Sequence, residues 1–159
     1  MKKVLSSILC IIVLVFLVIP KSESNAKMEA ATYEIEVNGQ NIDVSKLPYS
    51  AYKEGDTMMV PLQNVAKALG YKVTKITKKG EITIEDSIQK AVLRRNSKKV
   101  KIIGKLKIID LSQEVEYDEK IVVHKNTVYV PLEFFEEFFN ETSVDGTNII
   151  ISTIMCEIQ

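Results

Sequence analysis

The chain has no tryptophan, a single histidine (His124) and two cysteines (Cys10 and Cys156) among its 159 residues. Each scarcity removes a class of chemistry. A protein-built zinc or copper centre normally takes three or four His, Cys or carboxylate ligands at close quarters. A Ser-His-Asp or Cys-His arrangement would rest on His124 alone. No phosphate loop, GxGxxG or HExxH is present. Without tryptophan, sugar stacking would fall to Tyr33, Tyr49, Tyr52, Tyr71, Tyr117 or Tyr129, and no arrangement of these marks a site. Neither a cofactor nor a metal is expected, and the composition argues against an enzyme. Apolar residues at 46% and charged residues at 26% are globular rather than disordered proportions.

Long apolar runs are scarce too, and the one present is N-terminal. Lys2 and Lys3 precede twelve uninterrupted apolar residues, Ile8–Ile19, which Pro20 ends. A polar stretch follows, with small Ser24 and Ala26 at the two positions a signal peptidase reads. The pattern predicts a signal peptide over residues 1–26. The alternative is a retained membrane anchor, against which twelve residues fall short of the ~20 that span a bilayer; no transmembrane span is expected after cleavage. The expected product is secreted or extracellular and, in one reading, associated with the cell wall. Cleavage removes Cys10, leaves Cys156 as the one thiol and so excludes an internal disulfide. The remaining 133 residues, Lys27–Gln159, are enough for one domain with its own core. A short linker (27–32), a domain (33–153) and a tail (154–159) complete the expected layout.

Two segments seventy residues apart share a pattern. Met59-Val60-Pro61-Leu62 opens the first and Tyr129-Val130-Pro131-Leu132 the second. Each reads as a short strand meeting a proline suited to the first turn of a helix. Leu62, Val65, Ala66 and Leu69 fall on one helical face, as do Leu132, Phe135 and Phe139. Gly70 and Asn140 stand where a left-handed residue would stop each helix. Around the helices the sequence reads as strands. Tyr33–Val37 and Gln40–Val44 flank an Asn38-Gly39 hairpin turn. Lys72–Thr77 and Glu81–Glu85 flank Lys79-Gly80, Lys98–Ile103 and Lys105–Leu111 flank Gly104, and Asn148–Met155 closes the domain. The expected fold is α+β, a mainly antiparallel sheet with two short helices, built from two half-repeats.

The Val37-Asn38-Gly39 hairpin, the Met-Val-Pro-Leu helix ending in Leu69-Gly70-Tyr71 and the second Tyr-Val-Pro-Leu-Glu-Phe-Phe helix (129–135) together resemble the copper amine oxidase N-terminal-like domain, or stalk domain. The resemblance covers roughly residues 33–153. It implies a secreted, non-catalytic module of the kind common in Gram-positive bacteria, with copper chemistry located elsewhere in the oxidases themselves. Gln63 and Glu133 stand where that family commonly has Arg after Val-Pro-Leu.

Overall neutrality hides a strong polarity. Residues 72–107 hold twelve Lys or Arg against three acids, whereas residues 108–159 hold two Lys against eleven acids. One reading is that facing strands neutralise each other within the fold. Another is a basic surface of Lys72, Lys75, Lys78, Lys79, Arg94, Arg95, Lys98, Lys99, Lys101, Lys105 and Lys107 that holds an anionic cell-wall polymer or phospholipid. A third is head-to-tail pairing of molecules. Nucleic acid is disfavoured, because no aromatics are interleaved with the basic residues. The acidic run Glu114–Glu119 reads as a solvated connection. Phe134 and Phe138, off the expected core face, read either as a wider core between the two half-repeats or as a second surface for a protein partner or a homo-oligomer. The leading expectation is a non-catalytic cell-envelope binding or adaptor module; the alternative is a self-associating protein using the Phe-rich helix.

Overall fold

The computed structural model describes residues 32–154. The expected signal peptide, nearly all of the linker, most of the tail, Cys10 and Cys156 lie outside the described residues. In chain order the elements are β1 (Glu34–Val37), β2 (Gln40–Asn41), β3 (Tyr52–Glu54), β4 (Thr57–Pro61), α1 (Leu62–Ala68), β5 (Lys72–Val73), β6 (Glu81–Glu85) and β7 (Gln89–Arg94). Then come β8 (Lys99–Gly104), β9 (Gln113–Glu116), β10 (Val122–His124), β11 (Thr127–Pro131), a 3₁₀ helix (Leu132–Phe138), β12 (Asn140–Asp145) and β13 (Asn148–Thr153). The fold is α+β and mainly antiparallel, as expected. The strands divide among three sheets, ordered β12-β13-β1-β2, β10-β11-β4-β3 and β5-β6-β7-β8-β9.

The Val-Pro-Leu strands occupy the middle of the second sheet. They pair antiparallel, with Val60 opposite Val130, Met59 opposite Pro131 and Pro61 opposite Tyr129. Every residue of β4 and β11 is buried, because this sheet is covered on both faces and its strands are apolar throughout. Met58, Val60, Val128 and Val130 face the main core; Met59 and Tyr129 face a smaller aromatic cluster with Tyr52, Tyr49 and Val122. Ile35, Val37, Ile149 and Ile151 from the first sheet, and Ile82, Ile84, Ala91, Leu93, Val100 and Ile102 from the third, complete the main core. The first sheet joins the two ends of the described residues through a parallel pairing of β1 with β13.

Several expected boundaries shift. Pro61 and Pro131 close their strands rather than opening the helices, since a residue before a helix needs no backbone donor. The strand expected over Lys72–Thr77 stops at Val73, because the Thr74 hydroxyl, rather than a backbone carbonyl, accepts from Thr83 N at 2.9 Å. The strand expected over Lys105–Leu111 is an irregular loop. A Cβ on Gly104 would lie 2.8 Å from Leu111 N, so the bare glycine lets the chain fold back there. The place beside β8 goes instead to β9, which contains Glu114–Glu116, the first half of the acidic run expected to be a solvated connection.

The largest correction concerns the second helix, which winds as 3₁₀. At about 120° per residue rather than about 100°, Leu132, Phe135 and Phe138 stack in one row and Phe139 points away. Phe134 and Phe138 are both buried in the monomer's core, as the wider-core reading has it and against the protein interface, while Phe139 is about half exposed. Phe139, not Asn140, takes the left-handed conformation, with φ at 56°.

Candidate functional site

The third sheet carries nearly all the basic residues singled out above, and its pairing sorts them into groups. Side chains alternate across each strand, so β6 to β9 each present one charged row to solvent. On β8, Lys99 lies opposite Glu116 and Lys101 opposite Glu114 of β9. Lys99 Nζ reaches Glu114 at 3.0 Å and Glu116 at 3.8 Å. The Glu114 hydrogen bond, with the charges of Glu114 and Glu116, holds the Lys99 ammonium above its ordinary pKa. Arg94 on β7 pairs with Glu81 of β6 at 2.8 Å. Lys105 pairs with Glu85 at 3.7 Å, and Lys72 lies opposite that same glutamate. Arg94 and Lys105 are thus met by acids of their own basic segment and Lys99 by the acidic half, so the self-neutralising reading holds for part of this face.

Among the described residues, Lys72, Lys90 and Lys101 on the strands form no ion pair, and four further unpaired cations sit where the strands turn. The β5–β6 turn carries Lys78 and Lys79, and the β7–β8 turn carries Arg95 and Lys98. The two turns are fastened side by side, since Arg95 N donates to Gly80 O at 2.9 Å. All four side chains are exposed, and among the described residues none forms an ion pair. Lys98 Nζ does donate to the Asp118 carbonyl. Lys75 stands apart, with Lys67, at a groove of about 550 Å³ floored by Tyr71, Val73 and Ile76 beside α1. Lys107 lies at the far end of the sheet, in the loop after β8.

A family model described as the copper amine oxidase N-terminal domain matches residues 17–84 and, in a second and longer stretch, residues 36–151. The chain belongs to that family. No curated protein and no solved structure gives a significant match. In the amine oxidases this N-terminal domain is a non-catalytic accessory part. Among the described residues of this family member, no three His, Cys, Asp or Glu side chains gather as a metal-binding group. The one histidine, His124, lies in the aromatic cluster, its ring 5.3 Å from Tyr49 and 5.7 Å from Tyr129.

Two features of this family fold escaped sequence reasoning. One is the exposed apolar loop between β8 and β9, which the β-like sequence disguised as a strand. The other is Asn140, whose buried Nδ2 donates to the carbonyls of Phe135 at 2.8 Å and Phe138 at 3.1 Å. The only available signal was the asparagine at the end of the Phe-rich run, and it pointed to a left-handed stop instead.

Proposed function

We propose that the chain is a non-catalytic, secreted cell-envelope binding or adaptor module that holds an anionic wall polymer. The contact surface is the turn end of the third sheet, Lys78, Lys79, Arg95 and Lys98. The carrying observation is that these four cations are brought together on two bonded turns and left exposed. A repeating polyanion suits such a cluster, because several weak contacts add along one chain.

Purified protein sedimented with isolated cell walls tests this reading. Binding is expected at low salt and lost at ~0.5 M salt, where screening shortens to a few ångströms. Lys78→Glu with Lys79→Glu and Arg95→Glu should abolish low-salt binding while leaving thermal unfolding unchanged, because exposed charges contribute little to stability. Absence of wall binding by the unaltered protein at either salt would overturn the proposal.

A further inference from the structure

The connection from β8 to β9 presents apolar side chains to solvent in a way nothing else in the described residues does. Ile108 is 96% exposed, Ile109 57% and Leu106 43%, and the three lie within four consecutive residues. Isolated surface leucines need no explanation, but adjacent bulky aliphatic residues at a loop apex do. The loop's base is closed. Gly104 N donates to Ser112 Oγ at 3.1 Å, Lys105 N donates to Ile88 O at 2.8 Å, and the Leu111 backbone lies against Gly104. Lys105 Nζ donates to Asp86 O at 2.5 Å and pairs with Glu85. The apex therefore stands on a fastened stem, as in a compact surface loop whose ends meet.

We propose that this loop is a membrane-docking tip that inserts Ile108 and Ile109 into the interfacial region of an anionic lipid bilayer. Three observations favour lipid over a protein groove. The apex is convex, since nearly all of the Ile108 side chain is accessible. Lys107 stands between Leu106 and Ile108, exposed, and among the described residues it forms no ion pair. A long lysine can send its ammonium to headgroup phosphates while its neighbours enter the acyl boundary. The loop's acid is turned to the stem, where Asp110 Oδ1 accepts from Ser112 N at 2.9 Å. Because β-strand connections alternate ends in this antiparallel sheet, the tip lies opposite the Lys78–Arg95 turns. It does not rest on the polymer-binding reading, and either proposal can fail alone.

The absence of tryptophan makes the test direct. Ile108→Trp places the chain's one indole at the apex, and Val144→Trp places it instead on exposed β12 as a reference. Each protein, as the expected mature product Lys27–Gln159, is mixed with vesicles of equal parts phosphatidylglycerol and phosphatidylcholine, with and without brominated acyl chains. The Ile108→Trp protein should show blue-shifted emission and strong quenching by brominated lipid, and the Val144→Trp protein neither. Adding Lys107→Gln to the Ile108→Trp protein should weaken partitioning about fivefold. Unshifted, unquenched emission from the apex would overturn the proposal. So would equal quenching of both proteins, which would mean adsorption unrelated to the tip, or equal quenching in pure phosphatidylcholine. A blue shift that grows with protein concentration without vesicles would replace it with docking between copies of the chain.

Discussion

The two Val-Pro-Leu segments begin alike and end differently. After Leu62, α1 closes with a Schellman arrangement: Tyr71 N donates to Ala66 O at 2.8 Å, Gly70 N donates to Lys67 O at 3.1 Å, and Gly70 takes a φ of 80°. After Leu132 the chain winds as 3₁₀, and the left-handed residue comes one position earlier, at Phe139. The reason lies in what each must bury. The first helix hides Leu62, Val65 and Ala66, a small set that an α stripe accommodates. The second hides Leu132, Phe134, Phe135 and Phe138, and the tighter winding stacks three of these in one row. A shared motif therefore specifies the strand and the entry into the helix, while the winding and the exit differ with what each helix buries.

The largest expected effect separates the two helices at their matching positions Ala68 and Phe138. Phe138 is buried and packs on Tyr71, with ring centroids 5.3 Å apart. Phe138→Ala should cost about 3–5 kcal/mol by leaving a cavity. Ala68 is exposed, so Ala68→Phe should change stability by less than about 0.5 kcal/mol. Chemical denaturation of both variants measures the contrast, and similar losses would mean the helices are equivalent after all.

This contrast also marks how far the sequence was readable. The Val-Pro-Leu strands, the Asn38-Gly39 turn, with φ values of 50° and 77°, and the closing strand at Asn148 were legible because each depends on neighbours in sequence. The inward side of the second helix was not legible. Leu132, Phe135 and Phe139 form a sound α stripe, and the local pattern carries nothing that specifies the 3₁₀ winding. Neither was the fate of the charged segments. Two blocks of opposite sign suggested an exposed basic surface, yet whether Lys99 meets Glu114 depends on which strand lies beside β8. The loop after β8 was misread for a related reason. Its alternation of lysine and aliphatic residues is strand-like, but the contact of Leu111 with Gly104 that makes it a loop spans seven positions.

A second way to sharpen the comparison is at Asn140, whose counterpart in the first segment is Gly70. Its amide serves two carbonyls of the 3₁₀ helix and lies 3.0 Å from the Tyr71 hydroxyl, tying the exits of both helices together. Asn140→Ala should cost about 2 kcal/mol, because it leaves buried acceptors without a donor. Tyr71→Phe removes only a peripheral member of the network and should cost about 1 kcal/mol. A double-mutant cycle from thermal denaturation checks whether the two losses are coupled, as a shared network requires.

The smallest effect concerns the left-handed residues themselves. Gly70 adopts its φ of 80° without a side chain, and a Cβ there meets nothing within 4 Å. Gly70→Ala should thus isolate the backbone penalty, about 1 kcal/mol. Phe139 already bears that penalty at a φ of 56°. Phe139→Gly relieves it but raises the entropy of the unfolded chain by a comparable amount, and gives up the buried half of the ring. The first two terms roughly cancel, so the lost burial should leave a net cost of about 1 kcal/mol. Phe139→Asn keeps a side chain that tolerates the left-handed region and should be the more stable of the two. Melting temperatures of the three variants decide the matter. A loss above about 2 kcal/mol in Phe139→Gly would show that the exposed ring holds the 3₁₀ helix in place, and the exit would then be set by Phe139 packing rather than by the row formed by Leu132, Phe135 and Phe138.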